Sequence, residues 1–288
     1  MKLSMNVTST FFGNVVNDIK VAKEVGFDGI ELQNPKMDRY LEAGYTAESV
    51  VPMLEGIEVS AFGALQEMED DAFRAEAERL TCQAQLFGAP TLQMCTGPVD
   101  VQVVKDFKAG KLAANDPRYR GLLGVPEKEL IEKTAKRIGL AADIAKDHGL
   151  GLFIEPLGWA PVNALPQALK ILGIVVDFWH FFVAGDTPED VAKLDPSIIH
   201  AVHVCDGLTV PAGEIPDQAI SRNIWTGGGD IPLQEWVDSV KATGYDGWWT
   251  SEIFCDKTQE LDFNLVAGAL RDNMEILVSG KPGGKFAK

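Results

Sequence analysis

Four residues of metal-ligand type close four successive apolar runs in the second half of the chain: L-F-I-E at Glu155, I-V-V-D at Asp177, H-A-V-H at His203 and W-T-S-E at Glu252. Each run has the length and composition of a β-strand, whose side chains alternate between faces. If the four closing residues face one way, three carboxylates and an imidazole meet. An ionised carboxylate buried without a partner is costly, and three together repel one another, so the cluster calls for a positive charge at its centre. A divalent cation supplies it. Three oxygen donors and one imidazole make a mostly hard set suited to Mn2+ or Mg2+, with Co2+ or Zn2+ also able to occupy it. Four protein donors leave one or two positions of an octahedral ion open to a substrate.

Something must carry those runs to one place. Strand-like runs are expected at Lys2–Asn6, Gly29–Gln33, Glu58–Phe62, Thr91–Cys95, Leu150–Glu155, Gly173–Asp177, Ile198–Val204 and Trp248–Glu252. Between them lie helical stretches such as Asp70–Phe87, closed by Gly88, and Glu127–His148, opened by Pro126 and closed by Gly149. Leu130, Ile131, Thr134, Ile138, Ala141, Ala142 and Ala145 recur at helical spacing in the second. The repeating strand–helix unit without a linker predicts an α/β fold, one (β/α)8 TIM barrel over residues 1–288, with chemistry at the C-terminal strand ends. Inward alternation would align Phe153 and Gly151 with Glu155, Val175 and Gly173 with Asp177, Ala201 with His203, and Thr250 with Glu252. The odd spacing of His200 from His203 puts His200 on the helix-facing side. Two long connections, 96–125 and 205–230, are expected to rim the active site.

The bulk composition narrows the function classes. A formal charge of −16 and 46% hydrophobic residues predict a protein that avoids nucleic acid and anionic membranes. Four separated cysteines, 82, 95, 205 and 255, form no C-x-x-C pair and read as reduced thiols. With no signal-length apolar segment at the N-terminus and no run of spanning length, the expected location is cytoplasmic.

At the strand-end residues the chain resembles the xylose isomerase-like TIM-barrel superfamily, the sugar phosphate isomerase/epimerase group. G-F-D-G-I-E-L, Gly26–Leu32, is similar to that family's second strand, and Glu155, Asp177-x-x-His180, His203 and Glu252 resemble its Glu, Asp, His, Glu metal set. The resemblance implies Glu155, Asp177, His203 and Glu252 as ligands of one divalent ion. It also implies Glu155 and Glu252 as general base and acid, drawing a proton from the carbon next to a metal-bound carbonyl to give an enediolate and returning it to the opposite face. His180 resembles the family's substrate-binding histidine, and Asp206 and Arg222 would contact substrate oxygens by family position. The leading expectation is a sugar isomerase or epimerase acting on a ketose or related polyol ketone, as a homo-oligomer, dimer or tetramer. The alternative is a lyase or dehydratase on the same scaffold, acting on a keto-inositol, 3-keto-sugar or dehydroshikimate, for which His180 or a loop residue would have to serve as acid. A non-catalytic sugar-binding subunit is disfavoured by the four intact ligands. The family's apurinic endonucleases need further histidines on the third and fourth strands, where this chain reads A-F-G and Q-M-C, and a D-x-H that it lacks. The interval from Glu155 to Asp177, 22 residues (177 − 155), is shorter than expected for the epimerases, and the connection after the fourth strand is longer.

Other residues read less sharply. Trp159 and, less strongly, Trp179 are placed to stack on a substrate or wall a pocket. Glu31 ends an apolar strand, where it can reach a substrate hydroxyl or a partner behind the metal, or serve as a cap or ion pair. Gly227–Gly229 reads as a tight turn, since the strand and helix context of a phosphate loop is missing. Lys105, Lys108, Lys111, Arg118 and Arg120 permit a phosphorylated substrate without requiring one.

Overall fold

The protein is described from a computed structural model covering residues 1–288 except 67–69, 113–115, 117–123, 171–172 and 287–288. Eight parallel strands close into a barrel in sequence order: β1 (Lys2–Asn6), β2 (Gly29–Gln33), β3 (Glu58–Leu65), β4 (Thr91–Cys95), β5 (Gly151–Glu155), β6 (Ile174–Asp177), β7 (Ile199–Val204) and β8 (Trp248–Ser251). All eight coincide with the apolar runs of the sequence. The main departures are β3, which continues three residues further to Leu65, and β8, which stops one residue short of Glu252.

The helices follow from local chemistry. Helix Val15–Val25 is capped by the Asn14 side chain, which accepts the Asn17 amide, and ends at Gly26, whose φ of 87° is the left-handed conformation that favours glycine. Helix Glu127–Asp147 buries Leu130, Thr134, Ile138, Ala141 and Ala145 along one stripe, while Ile131 and Ala142 flank it half-buried. The main core lies between these faces and the outer side of the sheet, with Phe62, Phe73, Trp236 and Trp249 among its largest side chains. The connection after β4 contains a helix absent from the sequence reading, Val101–Lys108, capped by Asp100 and burying Val103 and Val104.

Inside the barrel Ala61, Phe153, Val175 and Ala201 form a separate buried layer, with the expected inward alternation. Thr250 is fully buried, and the Ser4 and Ser60 hydroxyls meet at 2.7 Å. His200 departs from its expected helix-facing side. The pairing of β6 with β7 shifts register between Ile174 and Val175, where one residue of β6 spans Ile199 to Ala201, and the His200 ring stacks 6.1 Å from Phe153. Gly173 makes room for it, since a β-carbon there would lie 2.4 Å from the imidazole.

Candidate metal centre

Glu155 and Asp177 are the last residues of β5 and β6, His203 is the penultimate residue of β7, and Glu252 directly follows β8. Register places Asp177 beside His203 and His203 beside Thr250, so the pleat sends these side chains to one point above the interior layer. One ligand atom from each of Glu155, Asp177, His203 and Glu252 lies within 4.8 Å of the others, and all four residues are buried. At that spacing two carboxylates repel by roughly 3–4 kcal/mol even at an effective dielectric near 20.

His203 shows how the cluster is oriented. Its Nε2 lies 3.1 Å from Glu31 Oε2. Its Nδ1 faces the centre, 3.3 Å from Glu155 Oε1, 3.6 Å from Asp177 Oδ2 and 3.2 Å from Glu252 Oε2, yet has no partner in hydrogen-bonding geometry. A buried imidazole nitrogen without a partner, surrounded by three carboxylate oxygens, fits a divalent cation bound among them. The electrostatics agree. Burial alone would lower the His203 pKa, but Glu31 and Glu252, with Asp177 and Glu155, raise it well above the ordinary imidazole value. The site therefore demands positive charge.

Each carboxylate has its own supports. Glu155 Oε2 accepts from Gln93 Nε2 at 2.8 Å and from the Cys95 thiol at 3.6 Å, which leaves Oε1 for the centre. Asp177 Oδ1 caps the following helix, Phe178–Ala184, by accepting the His180 amide at 2.7 Å, and takes the Cys205 thiol at 3.3 Å. Its Oδ2 accepts from Arg222 Nη2 at 2.8 Å. The same guanidinium nitrogen donates to Glu252 Oε2, and Asn6 Nδ2 reaches Glu252 Oε1 at 3.3 Å and Glu31 Oε1 at 2.8 Å. Burial pushes the pKa of all three carboxylates up. His203 overrides this at Glu155 and Arg222 does so at Asp177, so both end below the usual range, whereas Glu252 ends above it. Burial also pushes His180 down to about 4. His180 Nδ1 accepts the Gly158 amide at 2.9 Å, so its proton sits on Nε2, 3.9 Å from Glu155 Oε1.

A cavity of about 280 Å3 opens above the cluster. Of the four clustered residues, Glu155 and Glu252 line it, and so do His180, Arg222 and Trp159. Trp159 is held by a 2.9 Å bond from Nε1 to the Pro98 carbonyl, with its ring edge-on to His180. Arg222 is 2% exposed and lies between the rings of Phe254 and Trp179, 4.7 and 5.2 Å from their centroids.

Two of the expected substrate contacts lie elsewhere. Glu31 is the central residue of β2 rather than its end, and is fully buried behind His203, the partner role that the sequence offered as an alternative. Asp206 accepts the amides of Gly207, Gly227, Gly229 and Ile231 and does not line the cavity; it organises the Gly227–Gly229 turn. Lys105 is engaged by Asp217 and Lys111 lies 3.8 Å from Asp106, while Arg118 and Arg120 fall outside the described residues. The sequence reading missed Asn6, Gln93 and Cys95. The available signal was the strand T-L-Q-M-C, where Gln93 and Cys95 share one face and Gln93 interrupts an apolar pattern.

Among the described residues no helix is long and apolar enough to cross a membrane. A family model described as xylose isomerase-like TIM barrel matches residues 19–277. The chain is similar to an inosose isomerase of Halalkalibacterium halodurans, 24% identical over 97% of each protein. It is also similar to an inosose isomerase of Bacillus velezensis, 20% identical over 97% of this chain and 98% of that one. Among solved structures, an IolI protein with a bound zinc atom superposes with a TM-score of 0.79, 19% identity, and coverage of 96% of this chain and 98% of that one, a likeness of fold.

Proposed function

Because the chain belongs to the xylose isomerase-like TIM barrel family, we propose that it is a divalent-metal-dependent isomerase of a polyol ketone, with an inosose as the first substrate to test. The observation that carries this reading is a buried Glu, Asp, His, Glu cluster that meets the cavity through its two glutamates. Full-length similarity to two inosose isomerases supports the substrate class. Glu155, Asp177, His203 and Glu252 would hold the ion, with Mn2+ or Mg2+ the best match to three carboxylates and one imidazole. Bound there, the cation supplies Lewis-acid stabilisation of negative charge developing on a carbonyl oxygen.

The chain's own groups do the rest. Glu155 and Glu252 reach the cavity from β5 and the end of β8, flanking a ligand from two sides, an arrangement in which one carboxylate takes a carbon-bound proton and the other returns one. Gln93 holds Glu155 Oε2, and Asn6 and Arg222 hold the two oxygens of Glu252, so neither carboxylate needs to reorient during proton transfer. His180 presents Nε2–H to a substrate oxygen, with its tautomer set by the Gly158 amide. Trp159 walls the cavity beside it and limits water access.

Chelator-stripped protein reloaded with Mn2+ or Mg2+ is to be incubated with inosose and the products separated by chromatography. Metal-dependent appearance of an isomeric inosose is expected. Unchanged substrate with metal confirmed bound would remove the isomerase reading, and a dehydrated product would replace it with a lyase.

A further inference from the structure

Lys36 is a buried cation with no part in the four-residue cluster or in the cavity lining. It lies on the helix Asn34–Glu42 that follows β2, with its side chain 6% exposed. A buried ammonium is costly unless its donors are met. Nζ has three, and they go to the Val7 carbonyl at 2.9 Å, the Thr10 carbonyl at 2.7 Å and Asp18 Oδ2 at 2.8 Å. Asp18, from helix Val15–Val25, is fully buried and accepts the Thr10 hydroxyl on its other oxygen at 2.6 Å. Val7 and Thr10 are the first and last residues of the 3-10 turn that leaves β1. Lys36 therefore clamps both ends of a short turn whose own hydrogen bonds have poor geometry.

The turn reaches the cluster through the residue that caps it. Asn6 is fully buried and accepts the Thr8 amide on Oδ1 at 2.9 Å, which leaves Nδ2 to donate to Glu31 Oε1 at 2.8 Å and to Glu252 Oε1 at 3.3 Å. Glu31 is the partner of His203 Nε2, and Glu252 is one of the four clustered residues. A path of direct contacts thus runs from Lys36 through the turn and Asn6 to two carboxylates that orient the centre. We propose that Lys36, held by Asp18, is a positioning residue: it fixes the turn so that Asn6 presents its amide to Glu252 and Glu31. This role rests on the proposed metal site and is independent of what the metal does to a substrate.

Metal affinity of the full chain separates positioning from plain stabilisation. Mn2+ binding is measured by chelator competition for wild type, Asn6→Ala, the charge-neutral double variant Lys36→Met/Asp18→Asn, and the triple variant that combines them. Removing both charges avoids stranding one of them in the interior. Asn6→Ala should weaken binding about tenfold, as loss of a metal ligand's partner does, and the double variant about fivefold. Because Lys36 acts through Asn6, the triple variant should bind within about twofold of Asn6→Ala, whereas independent effects would multiply to about fiftyfold. Co2+ gives a second readout, since the visible absorption of the bound ion follows ligand geometry and not folding stability. The double variant and Asn6→Ala should shift its bands alike. Lys36→Gln, a smaller change that keeps a donor for a turn carbonyl, should weaken Mn2+ about threefold with the same band shift, and carries the test if the double variant does not fold. Affinity and Co2+ bands indistinguishable from wild type, or losses that multiply in the triple variant, would overturn the positioning role and leave Lys36 and Asp18 as a structural pair. Neither readout uses inosose, so a non-additive cycle in protein that does not turn inosose over would keep the positioning role and remove the isomerase reading alone.

Discussion

Glu31→Gln tests whether His203 is held as a metal ligand. Glu31 is fully buried, Oε2 stands 3.1 Å from His203 Nε2, and Oε1 is fixed by Asn6 at 2.8 Å. An anionic acceptor keeps the proton on Nε2 and so leaves the Nδ1 lone pair for the centre. Glutamine preserves the size but removes the charge, and its amide can offer an NH2 that favours the opposite tautomer. A charge-assisted hydrogen bond is about twice as strong as a neutral one, so the expected loss is roughly 1–2 kcal/mol, or about 5- to 30-fold in metal affinity. Partners of this kind generally contribute about 10- to 100-fold, which overlaps that range. The assay is competition for Mn2+ and Zn2+ against a chromophoric chelator at fixed pH, with Glu31→Asp as the intermediate case. Affinity within twofold of wild type, in a variant that unfolds normally in urea, would refute the assignment of Nδ1 as the coordinating atom.

Arg222 should matter most when no metal is bound. Arg222→Met leaves Asp177 and Glu252 buried without their cation, a loss of about 3–5 kcal/mol in metal-free protein; saturating Mn2+ should restore more stability to the variant than to wild type in urea unfolding, and equal increments would contradict this. The buried pair formed by Lys36 Nζ and Asp18 Oδ2 at 2.8 Å gives a pH signature remote from the site. Burial outweighs Lys36 and raises the Asp18 pKa to about 6 from 3.8. The folded protein then holds this proton more tightly than the unfolded chain, so the group's contribution is fully present below about pH 4 and is lost as pH rises through about 6. Two pKa units correspond to about 3 kcal/mol. The stability difference, wild type minus Asp18→Asn, should therefore shrink by that order between about pH 4 and 7, and a flat difference would show that Asp18 does not titrate in this window.

The barrel was legible because its signals are local. Eight short apolar runs alternate with helices that carry their own caps, and strand alternation alone sorted Phe153, Val175 and Ala201 into the interior. The four clustered residues were legible for the same reason, as polar residues closing apolar strands. What escaped depended on contacts between strands. Gln93 meets Glu155 only through the pairing of β4 with β5, and the turned position of His200 follows from a register shift that no local pattern records. Asp206 looked like a substrate contact, yet it accepts the amide of its neighbour Gly207 and those of the distant Gly227, Gly229 and Ile231. The helix Val101–Lys108 was obscured by the lysines that made its segment read as a basic rim.

Proton transfer by Glu155 and Glu252 is tested most directly by α-proton exchange. Metal-loaded protein in D2O is mixed with inosose and followed by proton NMR, beside Glu155→Gln and Glu252→Gln. The wild type is expected to lose one C–H signal next to the carbonyl, dependent on the divalent ion, with loss at least about a hundredfold slower in either variant, the usual contribution of a positioned acid or base. Retention of every α C–H signal by wild-type protein with its metal bound, or exchange at the wild-type rate in both variants, would contradict this role for the two glutamates.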